Sequence, residues 1–86
     1  MLRETILIVE DDAATSAFLA ERIKSDLGFT VAVASTLQDA GRFLSDNSAC
    51  TAIILDVGMP DGDGRDFCIR MRREGHKMPI IMLTGS

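Results

Sequence analysis

Thr51-Ala52-Ile53-Ile54-Leu55-Asp56-Val57-Gly58-Met59-Pro60 holds the clearest sign of how this chain is built. Ala52 to Leu55 is a short, uninterrupted apolar run closed by turn residues, which is how a strand buried on both faces reads in sequence. A hydrophobic core does not call for an acid at the end of such a strand, yet Asp56 stands there. Near the N-terminus the pattern repeats: the apolar run Ile6-Leu7-Ile8-Val9 is closed by Glu10-Asp11-Asp12. Placed as neighbouring parallel strands, the two runs bring their acids to one edge of a sheet.

Outward from these runs, short apolar segments alternate with amphipathic ones, the succession that builds βαβ units and a parallel sheet. Thr5 to Val9 reads as the first strand. Ala13 to Leu27 reads as a helix in which Leu19, Ala20, Ile23 and Leu27 share a face, and Gly28 ends it. Thr30 to Ala34 is the second strand. Ser35 or Thr36 can cap the next helix, which buries Leu37, Ala40 and Leu44 and is weakened at Gly41 by about 1 kcal/mol. Thr51 to Leu55 is the third strand and delivers Asp56. The turn-rich Gly58 to Gly64 leads to a helix carrying Phe67, Cys68 and Met71, and Pro79 opens a fourth strand, Ile80 to Leu83. Right-handed crossovers and a 2-1-3-4 strand order then leave a crevice at the carboxyl ends of strands one and three.

Composition sets the frame. The 86 residues suffice for one domain, residues 1–86, which buries only about 60% of the surface exposed by its unfolded chain. Hydrophobic residues make up 47% and charged residues 26%, which argues against disorder, and a net charge of −4 gives no reason to expect nucleic acid or an anionic membrane as a direct partner. No apolar stretch approaches the roughly 20 residues of a membrane span, and the early acids interrupt any signal peptide, so a cytoplasmic location is expected. Cys50 and Cys68 lack CxxC spacing and lie beside or within apolar segments, where a reduced thiol packs as a small hydrophobe.

In the proposed crevice Glu10, Asp11 and Asp56 repel one another unless a cation neutralises them. An all-oxygen donor set with room for water suits Mg²⁺, which binds one or two carboxylates and keeps positions for phosphate oxygens. Within phosphoryl chemistry, Asp56 can act as a nucleophile toward phosphorus, and Thr84 at the end of the fourth strand can offer a hydroxyl to the phosphoryl oxygens. Asp12 is either a third acid near the metal or the N-cap of the helix from Ala13; the cap is the preferred reading.

Three blocks in order, Ile6-Leu7-Ile8-Val9-Glu10-Asp11-Asp12, Ile54-Leu55-Asp56-Val57-Gly58-Met59-Pro60-Asp61-Gly62-Asp63-Gly64 and Pro79-Ile80-Ile81-Met82-Leu83-Thr84-Gly85, resemble the receiver domain of bacterial two-component response regulators. The resemblance implies a flavodoxin-like, three-layer, doubly wound parallel sheet. It implies a phosphoacceptor at Asp56 supplied by a histidine of a sensor kinase or phosphotransfer protein. It further implies a Mg²⁺ site in which Asp11 is a direct ligand, Glu10 acts largely through water, and the Gly58 carbonyl is a ligand beside Asp56. Thr84 becomes the switch hydroxyl that biases a protein-interaction surface, and Gly85 the small residue that keeps the approach to phosphorus open. The match corresponds to about the first two thirds of a receiver. The fifth strand, with its phosphoryl-pairing lysine, and the last two helices are not represented, and Lys77, ahead of the fourth strand, does not replace that lysine. On this reading Ile80 to Leu83 forms an exposed apolar edge, and self-association through it is expected.

Other functions have their own signatures. An aspartate-nucleophile phosphohydrolase would want a second acid two residues after the nucleophile, where this chain has Gly58. A receiver-like module that binds partners without phosphorylation is the alternative to a signalling receiver, because of the missing lysine. A dinucleotide site would need GxGxxG after the first strand, where Glu10-Asp11-Asp12 stands. Asp61-Gly62-Asp63-Gly64 faintly resembles a calcium loop, but the twelfth position is Arg72 rather than Glu, so a turn is expected. Arg70, Arg72, Arg73 and Lys77 read as a solvated helix end, and His76 as a loop residue.

Overall fold

The computed structural model describes residues 4–46 and 50–83. In chain order these form β1 (Thr5–Val9), α1 (Ala13–Leu27), β2 (Thr30–Ala34), α2 (Leu37–Asp46), β3 (Ala52–Asp56), β4 (Gly58–Met59), β5 (Gly62–Asp63), α3 (Gly64–Arg73) and β6 (Ile80–Leu83). Four strands make one parallel sheet in the order β2-β1-β3-β6, the expected 2-1-3-4 arrangement, while β4 and β5 form a small antiparallel hairpin of their own.

α2 and α3 cover one face of the sheet and α1 covers β1 and β2 on the other, so the apolar run of β1 needs no alternation with polar residues. On the α1 side Ile54 of β3 is half-buried and its register partner Ile81 of β6 is exposed. Leu7, Val9, Ile53 and Leu55 are fully buried and join Leu37, Ala40 and Leu44 of α2 and Phe67 and Met71 of α3 in one core cluster. Each of the Leu, Ile, Val, Phe and Met side chains among these contributes about 1.5–3 kcal/mol of transfer free energy. Ile6 and Ile8 alternate to the opposite face, where α1 packs on β1 and β2. Cys50 is buried and Cys68 half-buried, both as free thiols. Burial pushes the Cys50 thiol above its ordinary range.

Three local features depart from expectation. The shared apolar face of α1 is only partly realised: Ser16 and Ala20 are the buried residues, Leu19 and Ile23 are half-buried, and Leu27 is 65% exposed. A 15-residue helix runs about 22 Å against about 17 Å for a five-residue strand, so its last turn overruns the sheet. The Ser16 hydroxyl donates to the Ala13 carbonyl at 3.2 Å and so needs no other partner. Second, β3 includes Asp56, because Asp56 is the register partner of Leu83 and the adjacent Val57 N–H donates to the Leu83 carbonyl at 3.2 Å. Third, α2 is capped twice. Thr36 Oγ1 accepts from the Asp39 N–H at 3.0 Å, as the sequence suggests, and the distant Asp61 carboxylate takes the N–H groups of Leu37 and Gln38.

Candidate functional site

The site begins where β1 ends. The Glu10 N–H donates to the Ala34 carbonyl at 3.0 Å, carrying the β1–β2 ladder one residue beyond Val9 and drawing Glu10 into the sheet. Glu10 is only 7% exposed, and its Oε2 accepts the Asp12 N–H at 3.0 Å. Burial pushes its carboxyl above the usual carboxylate range, the Asp12 N–H pulls it back, and the negative charges of Asp56 and Asp11 push it up further. Asp11 is exposed. Asp12 is the N-cap of α1: its carboxylate accepts from the Thr15 N–H at 2.9 Å and from the Thr15 hydroxyl, which holds its carboxyl below the usual range.

On the neighbouring strand, Asp56 is half-buried at the end of β3. Its Oδ1 accepts the Gly58 N–H at 3.2 Å, and Oδ2 has no protein donor among the described residues. The backbone around it is held from two sides: Val57 donates to Leu83, and the Gly64 N–H donates to the Val57 carbonyl at 2.7 Å. That second bond presses the start of α3 against β3. A Cβ at Gly64 would lie 2.5 Å from the Asp56 carbonyl oxygen and 3.1 Å from Val57 Cα, so only glycine fits.

The β1–β3 register, with Val9 opposite Leu55, sets the two strand ends side by side. One carboxylate oxygen from each of Glu10, Asp11 and Asp56 lies within 4.8 Å of the others. The donor set is all oxygen and all anionic, one member is withdrawn from water, and the group lies at the carboxyl ends of two parallel strands where the winding of the sheet reverses. These properties fit a hard divalent cation. Gly58 is exposed on the hairpin that follows Asp56. Thr84 and Gly85 lie outside the described residues.

Two residues that hold the site in shape have no sequence signal as site residues. Gly64 could be suspected only as a glycine opening a helix. Asp61 acts across 24 residues of sequence, with Oδ1 2.8 Å from Leu37 N and Oδ2 3.0 Å from Gln38 N, and these donors hold its carboxyl below the usual range. Asp63, the other acid of the calcium-loop-like segment, caps α3 through the Arg65 N–H at 2.8 Å and pairs with the Arg65 guanidinium. Both acids therefore have protein partners, and the segment is a hairpin turn. The basic run ends α3, and Arg72 donates to the carbonyls of His76 and Met78 at 3.1 and 2.6 Å, shaping the loop that enters β6.

A doubly wound parallel sheet with three carboxylates at its topological switch point defines a class of small α/β proteins whose ligand crevice lies at the carboxyl ends of the strands. Residues 6–86 match the family model described as response regulator receiver domain, and the chain belongs to that family. It is 42% identical over 80 residues to the KDP operon transcriptional regulatory protein KdpE of Escherichia coli (strain K12), covering 93% of this chain and 34% of that protein. The chain thus spans about a third of the length of the curated relatives it matches. Among solved structures it is similar to the MaeR response regulator bound to beryllium trifluoride, with a TM-score of 0.89 and 28% identity over 96% of this chain and 68% of that one. A response regulator receiver protein from Pseudomonas putida shares the fold at a TM-score of 0.91 and 24% identity, covering all of this chain and 71% of its own. Among the described residues no helix is long and apolar enough to cross a membrane.

Proposed function

We propose that this chain acts in phosphorelay signalling, accepting a phosphoryl group on Asp56 from a histidine of a sensor kinase or phosphotransfer protein. The observation that carries the reading is the convergence of Glu10, Asp11 and Asp56 within 4.8 Å at the mouth of β1 and β3. Asp11, Asp56 and the Gly58 carbonyl, with Glu10 acting largely through water, would hold Mg²⁺, which would supply positive charge to offset the phosphoryl oxygens. Oδ2 of Asp56, free of protein donors among the described residues, is the attacking oxygen, while Gly58 holds Oδ1 and fixes the plane of the carboxylate. As the new P–O bond forms, the P–N bond of the donor phosphohistidine breaks and the leaving imidazole takes a proton from solvent. For Thr84 the proposal rests on sequence: it follows Leu83, the register partner of Asp56, and would serve as the switch hydroxyl. The chain works as an acceptor that changes a surface for a downstream partner, and in this reading it turns over no separate substrate.

Incubation with acetyl phosphate and Mg²⁺, followed by intact-mass measurement, tests this. The expected result is a single phosphoryl adduct that requires Mg²⁺ and is lost in Asp56→Ala. A chain that stays unmodified, or is modified equally in Asp56→Ala, overturns the proposal and favours a partner-binding module that is not phosphorylated.

A further inference from the structure

The hairpin between Asp56 and α3 carries Gly58, whose N–H grips Asp56 Oδ1. Its base is fixed by Val57 on Leu83 and by Gly64 on Val57. Its tip is fixed elsewhere, on α2. Asp61 places Oδ1 2.8 Å from Leu37 N and Oδ2 3.0 Å from Gln38 N. Beside that polar contact, Leu37 Cδ1 lies 3.2 Å from where a Cβ on Gly62 would sit, and Met59 is buried in the same core cluster as Leu37.

The start of α2 is itself tied to the other half of the site. Ala34, three residues before Leu37, accepts the N–H of Glu10. A continuous loop of bonds therefore runs from Glu10 through Ala34 and the β2–α2 junction to Leu37, across to Asp61, and back along the hairpin to Gly58 and Asp56. Asp61 is one of two caps on α2: Thr36 serves the Asp39 amide and water can reach the exposed Gln38, so only the amide of buried Leu37 depends on Asp61. The orientation of the hairpin depends on Asp61 as well.

We infer that Asp61 is a positioning residue for the acid cluster: it clamps the β4–β5 hairpin to the N-terminus of α2 and so holds Gly58 against Asp56 at a fixed spacing from Glu10. The inference rests on the phosphoacceptor reading for its functional meaning, but the clamp has a readout of its own. Residues that orient ligands from outside the site typically change affinity or activity about 10- to 100-fold when removed, and a backbone clamp belongs at the lower end.

The test compares the full chain with Asp61→Ala and Asp61→Asn by amide NMR, Mg²⁺ titration and acetyl phosphate labelling. In Asp61→Ala the Gly58 and Leu37 amides should shift and exchange faster, and Mg²⁺ affinity should fall about tenfold, with far-UV circular dichroism unchanged. Asn keeps one acceptor oxygen for the Leu37 amide, but its NH2 cannot accept from Gln38, so it should restore part of the affinity. Unmoved Gly58 amide and unchanged Mg²⁺ affinity in Asp61→Ala would overturn the clamp. So would equal loss in both variants together with general unfolding, which marks a purely structural role. A chain whose Gly58 amide and Mg²⁺ affinity respond to Asp61→Ala, yet which never takes a phosphoryl group, supports the clamp and overturns the phosphoacceptor reading alone.

Discussion

Gly64→Ala tests how tightly the backbone at Asp56 is packed. The added methyl would sit 2.5 Å from the Asp56 carbonyl oxygen, 3.1 Å from Val57 Cα and 3.3 Å from the Asp56 carbonyl carbon, all backbone atoms without rotamer freedom. Relief requires α3 to back away by about half an ångström merely to reach a tight contact, against comfortable carbon contacts of about 3.5–4.0 Å. Such overpacking costs about 1–3 kcal/mol, and stretching the 2.7 Å Gly64–Val57 hydrogen bond adds to it. The better helix propensity of alanine returns less than about 1 kcal/mol. The net loss of about 1–3 kcal/mol should lower Tm by on the order of 10 °C for a chain of this size. Gly58→Ala is the control, because nothing lies within 4 Å of its Cβ position, and it should stay within about 0.5 kcal/mol of wild type. Thermal and urea unfolding followed by circular dichroism measure both. Equal stability of Gly64→Ala and wild type, or equal losses in the two variants, would mean that α3 is not pressed against β3 at this point.

Leu44→Ala removes a fully buried side chain from the α2 face of the core and should cost about 2–5 kcal/mol in urea unfolding. Glu10→Gln should raise Tm at pH 7 in the absence of divalent cations. Burial holds the Glu10 carboxyl above the usual carboxylate range when folded, so the native state binds protons more readily and stability is lost as pH rises through that window. The gain should shrink as the pH falls into the ordinary carboxylate range, and Mg²⁺ should stabilise the variant less than wild type. Asp61→Ala should behave oppositely: the Leu37 and Gln38 amides hold the Asp61 carboxyl below the usual carboxylate range, so its contribution is present at neutral pH and disappears as pH falls through that lowered value. Stability curves of wild type and Asp61→Ala against pH should therefore converge in acid.

Much of the layout is legible in the sequence because it depends on local patterns. The apolar runs ending at Val9 and Leu55 are parallel strands, β1 buried on both faces and β3 buried on one and half-buried on the other, and continuous apolar runs are what such central strands require. The acids that close them become neighbours once β1 pairs with β3. The Leu37, Ala40 and Leu44 face of α2 follows from helical spacing. What the sequence conceals depends on contacts between distant segments. The two-residue strands β4 and β5 are too short to carry a period, and Asp61 looks like an ordinary turn residue until the fold brings it to α2, 24 positions away in sequence. Gly64 reads as a helix-opening glycine, and its need for a bare Cα is set by β3 passing behind it. On α1, hydrophobicity alone favours Leu19 and Leu27 over Ser16, whereas the close approach of helix to sheet selects the small residues Ser16 and Ala20.

The claim that one cation is shared by three carboxylates is tested most directly by following the side-chain carboxyl carbons of Glu10, Asp11 and Asp56 by NMR during Mg²⁺ titration. All three signals should move together and fit one dissociation constant, and Asp56→Ala should weaken the response at the other two. Signals that stay in place, or that saturate at unrelated concentrations, would contradict a common site.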